Sequence, residues 1–325
     1  MSELIRISAV IPTYNREKTI ARAIDSALAQ KHPASEIIVI DDGSKDNTRE
    51  IVESYGEKTR YIYQDNAGVA AARNRGVKEA TYDWIAFLDS DDYWLPQHLE
   101  QMSDAIQATE GKAALYFSDI KLHMDEGGVY CWEKCGFTIS GNYEFRQNAN
   151  EWAMMGRQPM MLQSSVIRRE SFVETGGIPE NLVTREDTFL FYKLCLSYPA
   201  CAVSGCGSAM SSDGNKSARL TAAFDGSTNK YHECTKLLFK ELLRSSDKMS
   251  PTHLKSIKRE LVLAHLHFGR TLLKRKQFFR AAANVAGAVG VSPTVSIGEA
   301  MRMVMRYIDN RKTIMVRRKD NKGFR

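Results

Sequence analysis

Three short polar clusters each follow an apolar run, and they hold most of the chemistry this chain can offer. Pro12-Thr13-Tyr14-Asn15 follows residues 5–11, Asp41-Asp42-Gly43-Ser44 follows EIIVI at 36–40, and Asp89-Ser90-Asp91-Asp92 follows WIAFL at 84–88. Two of the clusters are dense in carboxylate. Five carboxylates gathered in one place repel one another, and a divalent cation is the natural compensation. Asp89 and Asp91 stand two apart, which in an extended chain puts both side chains on one side. Hard oxygen ligands suit Mg²⁺ or Mn²⁺, and such ions keep open positions for substrate phosphates. A lone D-x-D is commonly a solvated loop or a helix cap. Its placement after a buried strand, beside Asp41-Asp42, is what gives it weight.

The elements that must position these clusters alternate. Helical stripes at 17–30, 46–55 and 68–80 separate strand runs at 5–11, 36–40, 60–64 and 84–88. Strand–helix–strand repetition at this spacing predicts an α/β fold: a parallel sheet, right-handed crossovers and helices on both faces. Ligands on such sheets sit beyond the carboxyl ends of the strands, where the three clusters fall. Further on, the patterns predict a helix at 96–107, strands at 113–124 and 160–168, and helices at 169–175 and 186–196. Residues 125–160 read as loops and short strands. Residues 205–229 are rich in Gly, Ser and Asn and read as a mobile loop. From Lys230 the pattern is helical, broken at Pro251 and Pro293.

Five stretches carry a resemblance: VIPTYNRE, EIIVIDDGSKDNT, QDNAGVAAARNRG, WIAFLDSDDYWLP and SSVIRRESFVETGGIPENLVTREDTFLFYKL. In this order, over residues 5–200, the chain resembles the inverting family 2 glycosyltransferases of the GT-A fold. The resemblance implies a catalytic region at 1–229, with a nucleotide-sugar half at 1–110 and an acceptor half at 111–229, followed by a basic helical region at 230–325. It implies that Pro12, Thr13 and Tyr14 hold the nucleobase and that Asp41 accepts from a uracil N–H. Arg73 then faces the nucleotide, Asp89 and Ser90 contact the donor, and Asp89 and Asp91 hold Mg²⁺ or Mn²⁺. Asp187 is the general base, with Glu186 as its rival. The implied reaction moves one hexosyl or N-acetylhexosaminyl unit from a UDP-linked donor to a saccharide or lipid-linked saccharide acceptor. Bacterial surface polysaccharide or glycolipid synthesis is the implied setting. The Q-x-x-R-W motif of polymer-making relatives is missing, which favours single-sugar transfer. Weaker candidates are Ser164 and Ser165 in the sugar or acceptor pocket, Tyr93 and Trp94 stacked on a sugar or in the core, and residues 211–217 as a closing loop.

Competing classes fit less well. A nucleotidyltransferase wants a Gly-rich loop with a lysine after the first strand, and Pro12–Asn15 offers none. A non-catalytic binding relative has no need of Asp89, Asp91 and Asp187 together. Six cysteines in a chain of 325 residues read as reduced thiols rather than a disulfide framework or a zinc site.

No run of 18 apolar residues occurs, and no basic segment with an apolar run opens the chain. The expected location is the cytoplasm, at the inner face of the membrane. Residues 230–325 carry 22 Lys and Arg against 7 Asp and Glu, leaving the rest of the chain net acidic. The apolar residues among the bases of 251–280 read either as bundle core or as an amphipathic surface for anionic lipid, so peripheral membrane contact is expected through 251–325. Aromatic interleaving of the nucleic-acid-binding kind is absent, which excludes nucleic acid as the partner.

Overall fold

The structure is a computed structural model that describes residues 5–122, 127–211, 228–244 and 249–302. The chain divides into two compact units, Met1–Ala223 and Phe224–Arg325. The first opens with β1 (Ile7–Thr13), α1 (Ile20–Leu28), β2 (Glu36–Asp41), α2 (Thr48–Glu53), β3 (Arg60–Tyr63), α3 (Val69–Glu79) and β4 (Trp84–Phe87). It continues through β5 (Asp92–Trp94), α4 (His98–Ala108), β6 (Leu115–Leu122), β7 (Val129–Tyr130), α5 (Cys131–Cys135), β8 (Tyr143–Arg146) and α6 (Asn150–Ala153). Then come β9 (Ser165–Arg168), α7 (Arg169–Glu174), α8 (Glu186–Ser197) and β10 (Ala200–Met210).

Every residue of β1 is buried, because a strand covered on both faces has no solvent side to make polar. Helix α1 turns Ile20, Ala23, Ile24 and Ala27 to the core, the 3.6-residue stripe visible in the sequence. Helix α3 lies close on β1 through Gly76, where an added Cβ would fall 2.2 Å from Val10 Cγ1. The sheet order is β3-β2-β1-β4-β9-β6-β10-β5, with β7 on β6 and β8 on β10. Strands β1 to β4 pair in parallel as expected. At β4 the sheet changes character, since β9 runs antiparallel to both β4 and β6.

Several expectations need correction. The strand expected over 160–168 is only β9; Leu162–Ser164 form a 3₁₀ turn. Ser164 and Ser165 are fully buried and donate to the carbonyls of Ser118 and Met161, so their hydroxyls serve the scaffold. Residues 205–210, expected to be loop, complete β10. Small residues fit there because the strand presses on α4, and a Cβ at Gly207 would meet His98 Nδ1 at 2.3 Å. His98 itself is fully buried, and burial pulls its pKa down to about 3 and keeps it neutral. The stretch 125–160 contributes two short helices, α5 and α6. Their Trp132 and Trp152 meet Phe117 edge-on and close a small aromatic core with Phe137. Residues 212–217 of the expected closing loop lie outside the described residues. All six cysteines are free thiols.

The second unit is helical: α9 (Asn229–Arg244), α10 (Pro251–Lys274), α11 (Phe278–Val291), with 293–302 helical as well. Ser250 caps α10 by accepting from His253 N, and Pro251 occupies the first turn, where its missing N–H costs nothing. Ile257, Leu261, Val262, Leu266, Phe268 and Leu272 of α10 are buried. The apolar residues of α10 therefore make bundle core, the first of the two readings. Gly287 lets α11 approach, since a Cβ there would fall 2.6 Å from the His265 ring. Among the described residues no helix is long and apolar enough to cross a membrane.

Candidate active site

The loops after β1 and β2 are stitched together by side chains that must leave regular structure to reach one another. Asn15 takes a left-handed conformation (φ 52°), its N–H donates to Ser44 Oγ at 2.8 Å, and its Oδ1 accepts from Lys45 N at 2.8 Å. Pro12 and Thr13 are buried at the end of β1, whereas Tyr14 beside them is exposed. Its ring face is open to solvent at the strand end.

Asp41 closes β2, opposite Thr13 in the register. One carboxylate oxygen accepts from Ser44 N at 2.8 Å and the other from Tyr61 Oη at 2.7 Å. Burial, together with Asp41, pushes the Tyr61 pKa upward and keeps it a donor. Each oxygen retains a second lone pair. Asp42 has a different task. It accepts from Ala67 N, Gly68 N and Gln64 Nε2, holding the entry of α3, where a negative charge also suits the helix dipole.

The segment after β4 departs from the extended geometry expected of it. Asp92 N donates to the Asp89 carbonyl at 3.0 Å, so Asp89-Ser90-Asp91-Asp92 is a turn. Asp89 turns to Arg73 at 2.8 Å, while Asp91 faces Arg16 at 3.7 Å and its carbonyl accepts from Arg22 at 2.7 Å. Both carboxylates keep about a quarter of their surface, 28% for Asp89 and 23% for Asp91. Ser90 is buried within the turn. Asp92 is buried too, and accepts from Gln163 Nε2, anchoring β5. Trp94 is core: it is buried and donates to the Gln163 carbonyl. Tyr93 is half-buried with Arg22 over its ring.

Arg73 is the hinge of the arrangement. It is buried on α3, with Nη2 on Asp89 at 2.8 Å and Nη1 on Glu186 at 2.7 Å. Burial works against its charge, but Asp89 and Glu186 more than offset this, and its pKa is raised. Glu186 is pushed up by burial, against the pull of Arg73. The next residue on α3, Asn74, binds both the N–H and the carbonyl of Ile178. Helix α3 thus fastens the segment that leads into α8. Arg185 enters that helix in a left-handed conformation (φ 64°). The first turn of α8 then separates two neighbouring acids. Glu186 points into the buried ion pair, whereas Asp187 is half-buried and accepts from Thr188 N at 2.6 Å.

The resemblance implies that Arg73 faces a nucleotide, but no signal in the sequence announces its bridge to Glu186, 113 residues away. Arg16 and Arg22 join the site unforeseen. Arg16 has a legible signal, a cation directly after the Pro-Thr-Tyr-Asn cluster. No group of three or more His, Cys, Asp or Glu among the described residues forms a ready-made cation cage. The site offers one or two carboxylates at a turn, which is how Mg²⁺-like ions are held when substrate phosphates supply the remaining oxygens.

The model of the family described as "Glycosyl transferase family 2" matches residues 8–169. An uncharacterized glycosyltransferase of Rickettsia conorii is 38% identical over 190 residues, covering 58% of this chain and 31% of that protein. The putative teichuronic acid biosynthesis glycosyltransferase TuaG of Bacillus subtilis is 35% identical over 125 residues, covering 37% of this chain and 49% of that one. The chain spans about a third of the length of the first curated relatives it matches. Among solved structures, S. aureus TarS 1–349 in complex with UDP-GlcNAc superposes with a TM-score of 0.63 at 18% identity, covering 91% of this chain and 92% of that one. The mannosyltransferase PcManGT from Pyrobaculum calidifontis, in complex with GDP-Man and Mn²⁺, gives 0.56 at 18% identity, covering 93% and 81%. At such identity the likeness speaks for the fold, which is GT-A.

Proposed function

The chain belongs to glycosyl transferase family 2, and from that premise we propose that it moves one sugar from a UDP-linked donor to an acceptor hydroxyl with inversion. The observation that carries this reading is the Arg73 bridge. It ties the post-β4 turn, a donor-phosphate site in this reading, to the first turn of α8, which bears the proposed base. Inverting transfer needs that pairing: a proton acceptor for the attacking hydroxyl and a charge-stabilising site for the departing diphosphate, on opposite sides of the anomeric carbon.

In this reading Tyr14 stacks on the base between the loops of Pro12-Thr13 and Asp41, and Asp41 accepts from the uracil N3–H. Asp91, with Asp89 and Ser90 beside it, holds Mg²⁺ or Mn²⁺ together with the donor phosphates. When bound, the cation supplies Lewis-acid stabilisation of the leaving group. Asp187 takes the acceptor proton; Glu186 is committed to Arg73 and leaves that task to its neighbour. Arg73 orients both acids rather than binding nucleotide directly. The TarS complex with UDP-GlcNAc supports a UDP-linked N-acetylhexosaminyl or hexosyl donor, and the likeness to TuaG, a putative teichuronic acid biosynthesis glycosyltransferase, supports a saccharide or lipid-linked saccharide acceptor.

A donor panel tests this. Thermal shifts of the full chain with UDP-, GDP- and dTDP-sugars, with and without Mn²⁺, should single out a UDP-sugar. Asp91→Ala should erase the Mn²⁺-dependent part of that shift. A preference for another nucleotide, or an undiminished Mn²⁺ effect in Asp91→Ala, overturns the donor assignment.

A further inference from the structure

Helix α11 is apolar nearly all round. Ala281, Asn284 and Ala288 face inward. The outward face carries Phe278, Phe279, Ala282, Ala286 and Val289, all exposed. Phe278 is 63% exposed and Phe279 94%, and the helix's one charged residue, Arg280, sits on the flank of this face. An apolar helix belongs in a protein core or against lipid, and this face is not in the bundle core.

The surrounding charge says what covers it. From 261 to 298 the chain has no Asp or Glu, but it has Arg270, Lys274, Arg275, Lys276 and Arg280. Lys276 takes a left-handed conformation (φ 59°) that turns the chain sharply from α10 into α11. The corner so formed sets exposed bases directly beside the exposed phenylalanine pair. Amphipathic segments that dock on anionic membranes combine protruding aromatics with Lys and Arg at headgroup level. A second copy of the chain would bring the same bases to the same face, and like charges would oppose it. The 14 residues of the helix measure about 21 Å, short of the roughly 30 Å of bilayer hydrocarbon. A helix of this length on a bilayer would lie in the membrane plane rather than across it. We propose that the outward face of α11, led by Phe278 and Phe279 and flanked by Lys274 and Lys276, docks on an anionic lipid bilayer.

This inference stands apart from the sugar-transfer reading, and its test uses no enzymatic activity. The full chain is floated with vesicles of phosphatidylcholine alone and with vesicles containing one quarter phosphatidylglycerol. Binding is expected only to the anionic vesicles. Phe278→Ser with Phe279→Ser should lower partitioning by about tenfold or more, since apolar burial is lost. Lys274→Glu with Lys276→Glu should remove the preference for phosphatidylglycerol. Phe279→Trp gives a direct readout, because the native Trp84, Trp94, Trp132 and Trp152 are all buried. The indole emission added by that substitution should shift blue on anionic vesicles and be quenched by brominated lipid. Unchanged partitioning of the double Phe variant, or no blue shift from the Phe279→Trp variant once it is bound, overturns the proposal. So does a wild-type chain that ignores anionic vesicles, whether it stays monomeric or forms a dimer abolished by the Phe changes.

Discussion

The carboxylates after β2 and those after β4 look alike in the sequence, but the fold treats them differently. Asp41 and Asp42 are buried and held largely by neutral donors: backbone N–H groups, a tyrosine hydroxyl and a glutamine amide. Asp89 and Asp91 face guanidinium groups and keep about a quarter of their surface. A carboxylate fixed by neutral donors is held rigidly, whether it supports the scaffold as Asp42 does or faces a ligand as proposed for Asp41, and it changes little when ligand binds. One balanced by a mobile or shared cation can exchange partners when a phosphate or metal arrives. The same contrast recurs one residue apart in α8, where Glu186 is buried against Arg73 and Asp187 stays half-buried. Poised groups and structural groups thus stand side by side, and burial with partner type tells them apart.

The sharpest way to break this comparison is to exchange the fates of the α8 acids. Asp187→Asn should lower kcat by about 10²–10⁴-fold, the usual worth of a positioned base, while the donor thermal shift persists. Glu186→Gln keeps an oxygen for Arg73 Nη1 and should cost less. If the two losses are reversed in size, Glu186 is the base and the comparison fails.

Next in size is Arg73→Met. It leaves Asp89 and Glu186 without their shared cation, and removing one partner of a buried pair costs about 3–5 kcal/mol. Urea unfolding of the full chain reads this directly. A loss under about 1 kcal/mol, the range of exposed pairs, would mean that Arg73 is not a buried linchpin.

Asp42→Ala, which strips three donors at the entry to α3 of their acceptor, should cost about 1–3 kcal/mol and leave the UDP-sugar preference intact. A selective loss of donor binding with stability unchanged would move Asp42 from scaffold to ligand contact. The smallest effect is expected at Arg75, which pairs with Glu79 one turn along α3 and is largely exposed. Arg75→Ala should cost about 0.5 kcal/mol or less.

Much of the first half was legible in the residues. Continuous apolar runs fit only buried strands, and the helix stripes between them leave few topologies, so β1 to β4 appear where the patterns put them. Elsewhere local pattern misled for physical reasons. The Gly- and Ser-rich run at 205–210 resembles loop, yet it is strand, because close packing against α4 demands small side chains. Residues 162–164 read as strand and are a 3₁₀ turn, in which Ser164 donates to the Ser118 carbonyl on β6 and Ser165 closes back on the Met161 carbonyl. Residues 89–92 read as extended and form a turn.

The order of residues alone determined that acids would follow strands at one edge of an α/β sheet, because strand and helix periodicities are local properties and the chain's connectivity sets which strand ends meet. It also determined that bases without acids would gather at 261–298. Only the tertiary structure decided that Arg73 joins Asp89 to Glu186, that Glu186 rather than Asp187 is buried, and that α11 rather than α10 presents an apolar face outward. Those outcomes depend on contacts across a hundred residues and on which helix face is covered, and neither is encoded in any short stretch of sequence.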